Sequence, residues 1–165
     1  MRVFLGGTVS DSKWREHIIT ELKELGIDWW NPVSANVHSR LYQDSYKANE
    51  RMCDVLLYVV TPRMKAFESI AEAVDNSNKF RGKVVYCVLE TDSILYNHYG
   101  VDGPYPMWPR VQYESLIAIG KRIENNGGRM MVSLEEVITF LKSTKHKLDG
   151  LMSPCQQQTD NGTDA

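Results

Sequence analysis

Glu68 and Glu72 are two carboxylates one helical turn apart, on a segment that follows an apolar run and a proline turn. At i,i+4 both project from one side of a helix, where like charges cost about 0.2–0.5 kcal/mol and gain nothing structurally. Clustered carboxylates also raise each other's pKa, one way to keep an acid protonated near neutral pH. A carboxylate at the rim of a sheet can serve as a nucleophile or a base. Phe67, Ile70, Ala71 and Val74 form an apolar face, and Glu68, Glu72, Asp75 and Lys79 form a polar stripe that by default is solvated. Asp44, in a polar segment upstream, is a further acid that could reach the same rim, whereas Asp54, at the start of a strand, is expected to be structural.

The elements that must position these groups alternate. Val55 to Val60 is apolar throughout, as in a strand buried on both faces of a parallel sheet. Thr61-Pro62 stops it, because proline cannot continue a central strand. A helix is predicted over 67–79. Upstream, Arg2 to Leu5 reads as a strand, 11–25 as a helix through Trp14, Ile18, Leu22 and Leu25, 27–30 as a strand and about 40–51 as a polar helix. Downstream, 84–89 reads as a strand, 110–125 as a helix ending at Gly127-Gly128, and 130–132 as a strand. Ser133 and Glu136 form a capping box for the last helix. The alternation predicts a single-domain α/β three-layer sandwich around a five-stranded parallel sheet, flavodoxin-like or Rossmann-like in order 2-1-3-4-5. The domain is expected over 1–148, with a polar, glutamine-rich and disordered tail over 149–165.

That strand order puts the switch point between the first and third strands, where such sheets bind ligands. Gly6-Gly7-Thr8 would lie there, beside Pro62 and the turn before Glu68. The turn is neither a dinucleotide fingerprint, lacking the third glycine, nor a phosphate loop, lacking Gly-Lys-Ser/Thr. It is equally a tight turn or a place where a ligand approaches the backbone. Asn31 ends the second strand on the same side and could bond a base or sugar, although Asn-Pro is also ordinary turn chemistry. A phosphate would want a cation near Gly6-Gly7, for which Arg40, Arg51, Arg63 and Lys65 are available. His38, His98 and the aromatic stretch 96–108 form either a lid that stacks on a ring or a packed surface loop.

The 165 residues carry a formal net charge of −2 and no basic block, so nucleic acid is not an expected partner. No apolar run approaches the roughly 18 residues of a membrane helix, and no signal-peptide pattern opens the chain, so a cytoplasmic location is expected. The three cysteines, Cys53, Cys87 and Cys155, have no metal-like spacing, and no metal or other cofactor is expected. Asn161-Gly162-Thr163 reads as a chance glycosylation match.

Four segments together resemble the nucleoside 2-deoxyribosyltransferase-like family: Val-Phe-Leu-Gly-Gly-Thr (3–8), Trp-Asn-Pro (30–32), Cys-Asp-Val-Leu-Leu-Tyr-Val-Val-Thr-Pro (53–62) and Ser-Ile-Ala-Glu-Ala-Val-Asp-Asn-Ser-Asn-Lys (69–79). The likeness covers about 1–142 and is greatest to the compact branch met on phage and bacterial genomes. It implies a flavodoxin-like sheet and a glutamate nucleophile that attacks the anomeric carbon of 2-deoxyribose. That residue would be Glu72, with Glu68 as the fallback. An acceptor base makes such an enzyme a transferase, and water makes it an N-glycohydrolase. Glu68 or Asp44 would help the leaving base, and Gly6, Gly7, Thr8, Asn31 and Pro62 would shape the nucleoside or nucleotide pocket. Two departures stand out. The well-known transferases carry a tyrosine in the first strand, where this chain has Phe4, and an aspartate shortly before the nucleophile, whereas no acid lies between Pro62 and Phe67. The resemblance also implies a homo-oligomer. Two other functions are compatible with the fold: a non-catalytic module that binds a nucleotide signal, and a nicotinamide-dinucleotide glycohydrolase.

Overall fold

The structure, a computed structural model, describes residues 1–9, 11–33, 39–93 and 105–151. His38, His98, Cys155, the sequon at 161–163, most of the predicted lid and most of the predicted tail lie outside these residues.

The elements run β1 (Arg2–Gly7), α1 (Trp14–Glu24), β2 (Asp28–Trp30), α2 (Arg40–Met52), β3 (Val55–Val60), α3 (Glu68–Lys79), β4 (Val84–Val88), α4 (Arg110–Asn125), β5 (Arg129–Met131) and α5 (Leu134–Leu151). The strands form one sheet in the order β2-β1-β3-β4-β5, every pairing parallel, as the alternating pattern predicts. All six residues of β3 are buried. Because successive side chains of a strand point to opposite faces, Val55, Leu57 and Val59 pack with Trp14, Ile18 and Leu22 of α1 and Val137 and Leu141 of α5. Leu56, Tyr58 and Val60 pack on the other face with Ile70 and Ala73 of α3 and Leu116 and Ile123 of α4. Burying each such large side chain contributes about 1.5–3 kcal/mol.

Several element ends differ from their expected places for visible reasons. The first helix begins at Trp14 rather than at 11, because Asp11 has φ 36°, a left-handed conformation that no right-handed helix can include. Ile27 precedes β2; its N–H donates to the Leu22 carbonyl (2.9 Å) and so closes α1 instead of joining the sheet. Half of the expected capping box of α5 forms: Ser133 Oγ accepts from the Glu136 N–H at 3.2 Å, whereas the Glu136 carboxylate accepts from the Val132 N–H at 2.9 Å, one residue before the cap.

The larger correction concerns α3. Its sheet-facing residues are Ile70, Ala73, Asn76 and Ser77, not the set Phe67, Ile70, Ala71 and Val74. Small residues at 73 and 77 let the helix lie close to β3. Phe67, Ala71 and Val74 instead face α4 across an apolar hollow of about 840 Å³ that also includes Trp108, Leu116 and Ile119. This rotation is what turns Glu72 inward.

The glycines of the first turn are required by β3. A Cβ on Gly7 would lie 2.1 Å from the Val59 carbonyl oxygen, and its φ of +108° is strained for any other residue. A Cβ on Gly6 would lie 2.6 Å from the Tyr58 ring. Beyond the strand ends, Thr8 continues the junction: its N–H donates to the Val59 carbonyl (2.8 Å) and its Oγ1 accepts from the Thr61 N–H (2.9 Å). Asp54, at the opposite edge, accepts from the Arg2 N–H at 2.7 Å, a structural role as expected.

Candidate active site

Between α2 and α3, above the carboxyl ends of β1 and β3, lies a cleft of about 440 Å³. Two helical stripes line it. Tyr42, Tyr46 and Glu50 project from successive turns of α2, and Glu68, Glu72 and Asn76 from successive turns of α3. Gly6, Gly7 and Arg15 also line it, as do Pro32 and Val33.

Glu72 is half-buried in this cleft. The Tyr46 hydroxyl donates to its Oε2 at 2.5 Å. Burial pushes the Glu72 carboxyl up to about 7 from an ordinary 4.5; the Tyr46 bond pulls the other way, and the charges of Glu50, Glu68 and Asp75 add to the rise. The carboxyl is therefore poised between its acid and base forms near neutral pH. Tyr46 itself is held protonated, by burial first and then by the Glu72 charge, so it remains a donor. Its ring sits edge-on to Phe4 at 5.3 Å and to Trp30 at 5.5 Å. Phe4 and Trp30 stack on each other at 5.4 Å, which fixes the Tyr46 ring from two sides.

A second network supports the first from beneath. Asn76, 2% exposed, donates through Nδ2 to Glu50 and to the Tyr58 hydroxyl, the latter at 2.7 Å. Tyr58 in turn donates to Glu50 Oε1 at 3.2 Å. Burial raises the Tyr58 phenol strongly, followed by the charges of Glu72 and Glu50, so it too stays protonated. A side chain of the central strand is thus bonded to both walls of the cleft.

The predicted site residues separate into two groups. Glu72, Glu68, Gly6 and Gly7 meet at the cleft, Glu68 exposed on the first turn of α3. Asp44 is exposed on α2, outside the cleft lining. Thr8 is buried and occupied in joining β1 to β3. Asn31 accepts from the Val33 N–H at 3.2 Å in a local turn that presents Pro32 and Val33 to the cleft. Pro62 follows β3 outside the lining. None of the proposed cations at 40, 51, 63 and 65 lines the cleft; Arg63 pairs instead with buried Asp92 (3.3 Å).

The family described as nucleoside 2-deoxyribosyltransferase like matches the chain over residues 1–91. The chain belongs to this family. The matched span carries β1 through β4 and every residue of the cleft named above. No curated protein matches the sequence. Membership in the nucleoside 2-deoxyribosyltransferase-like family points to glycosyl-transfer chemistry on nucleosides. Among the described residues no group of histidine, cysteine, aspartate and glutamate could hold a metal, and no helix is long and apolar enough to cross a membrane.

Arg15, Tyr46, Glu50 and Asn76 are among the cleft residues not singled out from the sequence. Three of them had a signal. Tyr42, Tyr46 and Glu50 recur at four-residue spacing within a segment read only as a polar helix, and Asn76 extends the Glu68–Glu72 spacing by one more turn.

Proposed function

We propose that this protein cleaves the N-glycosidic bond of a 2-deoxynucleoside or deoxynucleotide, with Glu72 as the nucleophile. The reading rests on family membership and on one observation: a half-buried carboxylate on the cleft wall whose Oε2 is held by the Tyr46 hydroxyl. That bond fixes the orientation of the carboxylate and leaves Oε1 to react. An oxygen of Glu72 attacks the anomeric carbon as the bond to the base nitrogen breaks, its electron pair leaving with the base. The base takes a proton, for which exposed Glu68, one turn away on the same wall, is the assigned donor. Water or a second base then attacks the glycosyl ester, releasing free sugar or a new nucleoside and restoring Glu72. The departure at Phe4 is made up from α2, because Tyr46 packs against the Phe4 ring and supplies the missing hydroxyl.

The test is incubation with each deoxynucleoside and deoxynucleotide, following release of free base, with mass spectrometry of the denatured protein for one deoxyribosyl adduct on the Glu72 peptide. Glu72→Ala should abolish both signals. Activity undiminished in that variant would end the assignment. Release of nicotinamide from a dinucleotide, or thermal stabilisation by ligand with no base released, would replace it by one of the rival functions.

A further inference from the structure

The Arg15 guanidinium carries a charge that no ion pair neutralises among the described residues. The side chain is 7% exposed and stacks on Trp14, 4.3 Å from the ring centroid. Its Nε donates to the Leu5 carbonyl (3.1 Å), Nη1 to the Thr8 carbonyl and Nη2 to the Gly7 carbonyl (3.1 Å). These acceptors are all neutral, and among the described residues no carboxylate forms an ion pair with it. Burial lowers its pKa only to about 10, so it is a cation at neutral pH. A buried charge without a counter-charge is costly. Attaching α1 to the end of β1 would need donors, not a cation.

Arg15 borders the cleft beside Gly6 and Gly7. A guanidinium has five N–H groups in a planar fork. The backbone bonds above take one on Nε and one on each terminal nitrogen, so a second N–H remains on both Nη1 and Nη2. A pair of this kind suits two oxygens of a phosphate. Glu50 on the α2 wall and Glu68, Glu72 and Asp75 on the α3 wall repel an anion; of the two lysines that also line the cleft, Lys79 is paired with Asp75 and Lys47 is exposed on α2. A ligand with one charged end would therefore be oriented along the cleft, anion at Arg15 and uncharged ring toward Glu72. A free nucleoside offers no such end.

We infer that Arg15 is the receptor for a phosphate monoester, and that the substrate is a 2-deoxynucleoside 5′-monophosphate. The inference rests on the glycosidic reading for the sugar and base, but the anion site stands on its own geometry. The experiment measures, on the full chain, calorimetric binding of 2-deoxyribose 5-phosphate against 2-deoxyribose, and kcat/KM for base release from each deoxynucleoside against its 5′-monophosphate. The phosphorylated member of each pair should be favoured about 100-fold, as a desolvated charge-assisted pair allows, and the preference should shrink as salt is raised. In Arg15→Gln the ratio of the two kcat/KM values should fall toward one, with Arg15→Lys intermediate. That ratio is internal to each variant and is independent of how much protein folds. If Arg15→Gln yields no folded protein, the wild-type binding pair decides.

Equal binding of the two sugars, or an unchanged ratio in Arg15→Gln, overturns the phosphate receptor. Equal cleavage of nucleosides and monophosphates overturns it too while leaving Glu72 chemistry intact. Tight binding of the sugar phosphate with no base released from any substrate upholds the receptor and overturns the glycosidic reading.

Discussion

Replacing Tyr46 by phenylalanine removes one hydroxyl from the cleft wall and keeps the ring that packs against Phe4 and Trp30. The lost interaction is the 2.5 Å bond to Glu72 Oε2. Among the causes that set the Glu72 pKa, it is the one that favours the charged form; burial and the charges of Glu50, Glu68 and Asp75 all oppose ionisation. A hydrogen bond to an ionised group contributes about 1.5–3 kcal/mol, and a half-buried site belongs at the low end. About 1.4 kcal/mol is one pKa unit. The Glu72 carboxyl, about 7 in the native protein, should therefore titrate near ~8 in Tyr46→Phe. The ionised fraction at neutral pH then falls from about one half to about one tenth, and base release slows about fivefold. At about two pH units above neutrality the gap should narrow to what the lost positioning of the carboxylate costs, since both carboxyls are then ionised. The assay is the pH dependence of kcat/KM for base release, with the Glu72 carboxyl carbon followed by NMR in the free protein. An acidic limb that stays in place, or moves to lower pH, would refute the claim that this hydroxyl sets the charge on Glu72.

Other expectations concern stability. The Glu72 pKa of about 7 in the fold lies above the ordinary 4.5, so stability is lost as pH rises from the lower value through the upper and is constant above it. Glu72→Gln should therefore melt ~2–4 °C higher than wild type in mild alkali and at the same temperature in acid below the ordinary carboxylate range, taking the cost as ~1 kcal/mol after solvent screening. A parallel pH dependence of both melting curves would contradict this. Gly7→Ala meets the Val59 carbonyl at 2.1 Å, whereas Gly26→Ala at φ +62° has nothing within 4 Å. The first should cost ~3 kcal/mol or more and the second only ~1 kcal/mol in urea unfolding. Asn76→Ala, which strips a donor from Glu50 and Tyr58, should cost ~1–3 kcal/mol with an unchanged denaturant slope.

The strand order was legible because it follows from rules that act on whole elements: apolar runs at Val55–Val60 and Val84–Val88, alternation with helices, and right-handed crossovers. The rotation of α3 was not. Helical periodicity identifies an apolar face, but Phe67, Ala71 and Val74 are drawn to α4, while small Ala73 and Ser77 face the sheet. A neighbouring helix, invisible to local pattern, decided between two faces. Glu72 was singled out in the sequence by its spacing from Glu68. Tyr46 was not, because its partner is 26 residues away and belongs to another helix. Arg15 was hidden for a different reason: a charged residue in the first turn of an amphipathic helix is ordinarily solvated, and nothing local announces that the carbonyls of Leu5, Gly7 and Thr8 will enclose it.

The Tyr58 ring lies where a side chain on Gly6 would go, and its hydroxyl reaches Glu50 and Asn76. Positions 6 and 58 are therefore not free to vary separately. Alanine at 6 is barred by the Tyr58 ring at 2.6 Å and, less severely, by the Phe4 ring at 2.9 Å, and a smaller residue at 58 would relieve the closer contact only by cutting the link to both helices. An evolutionary step at either site passes through a poorer protein unless the other changes with it. Across diverging descendants of this chain, glycine with tyrosine should be kept or lost as a pair.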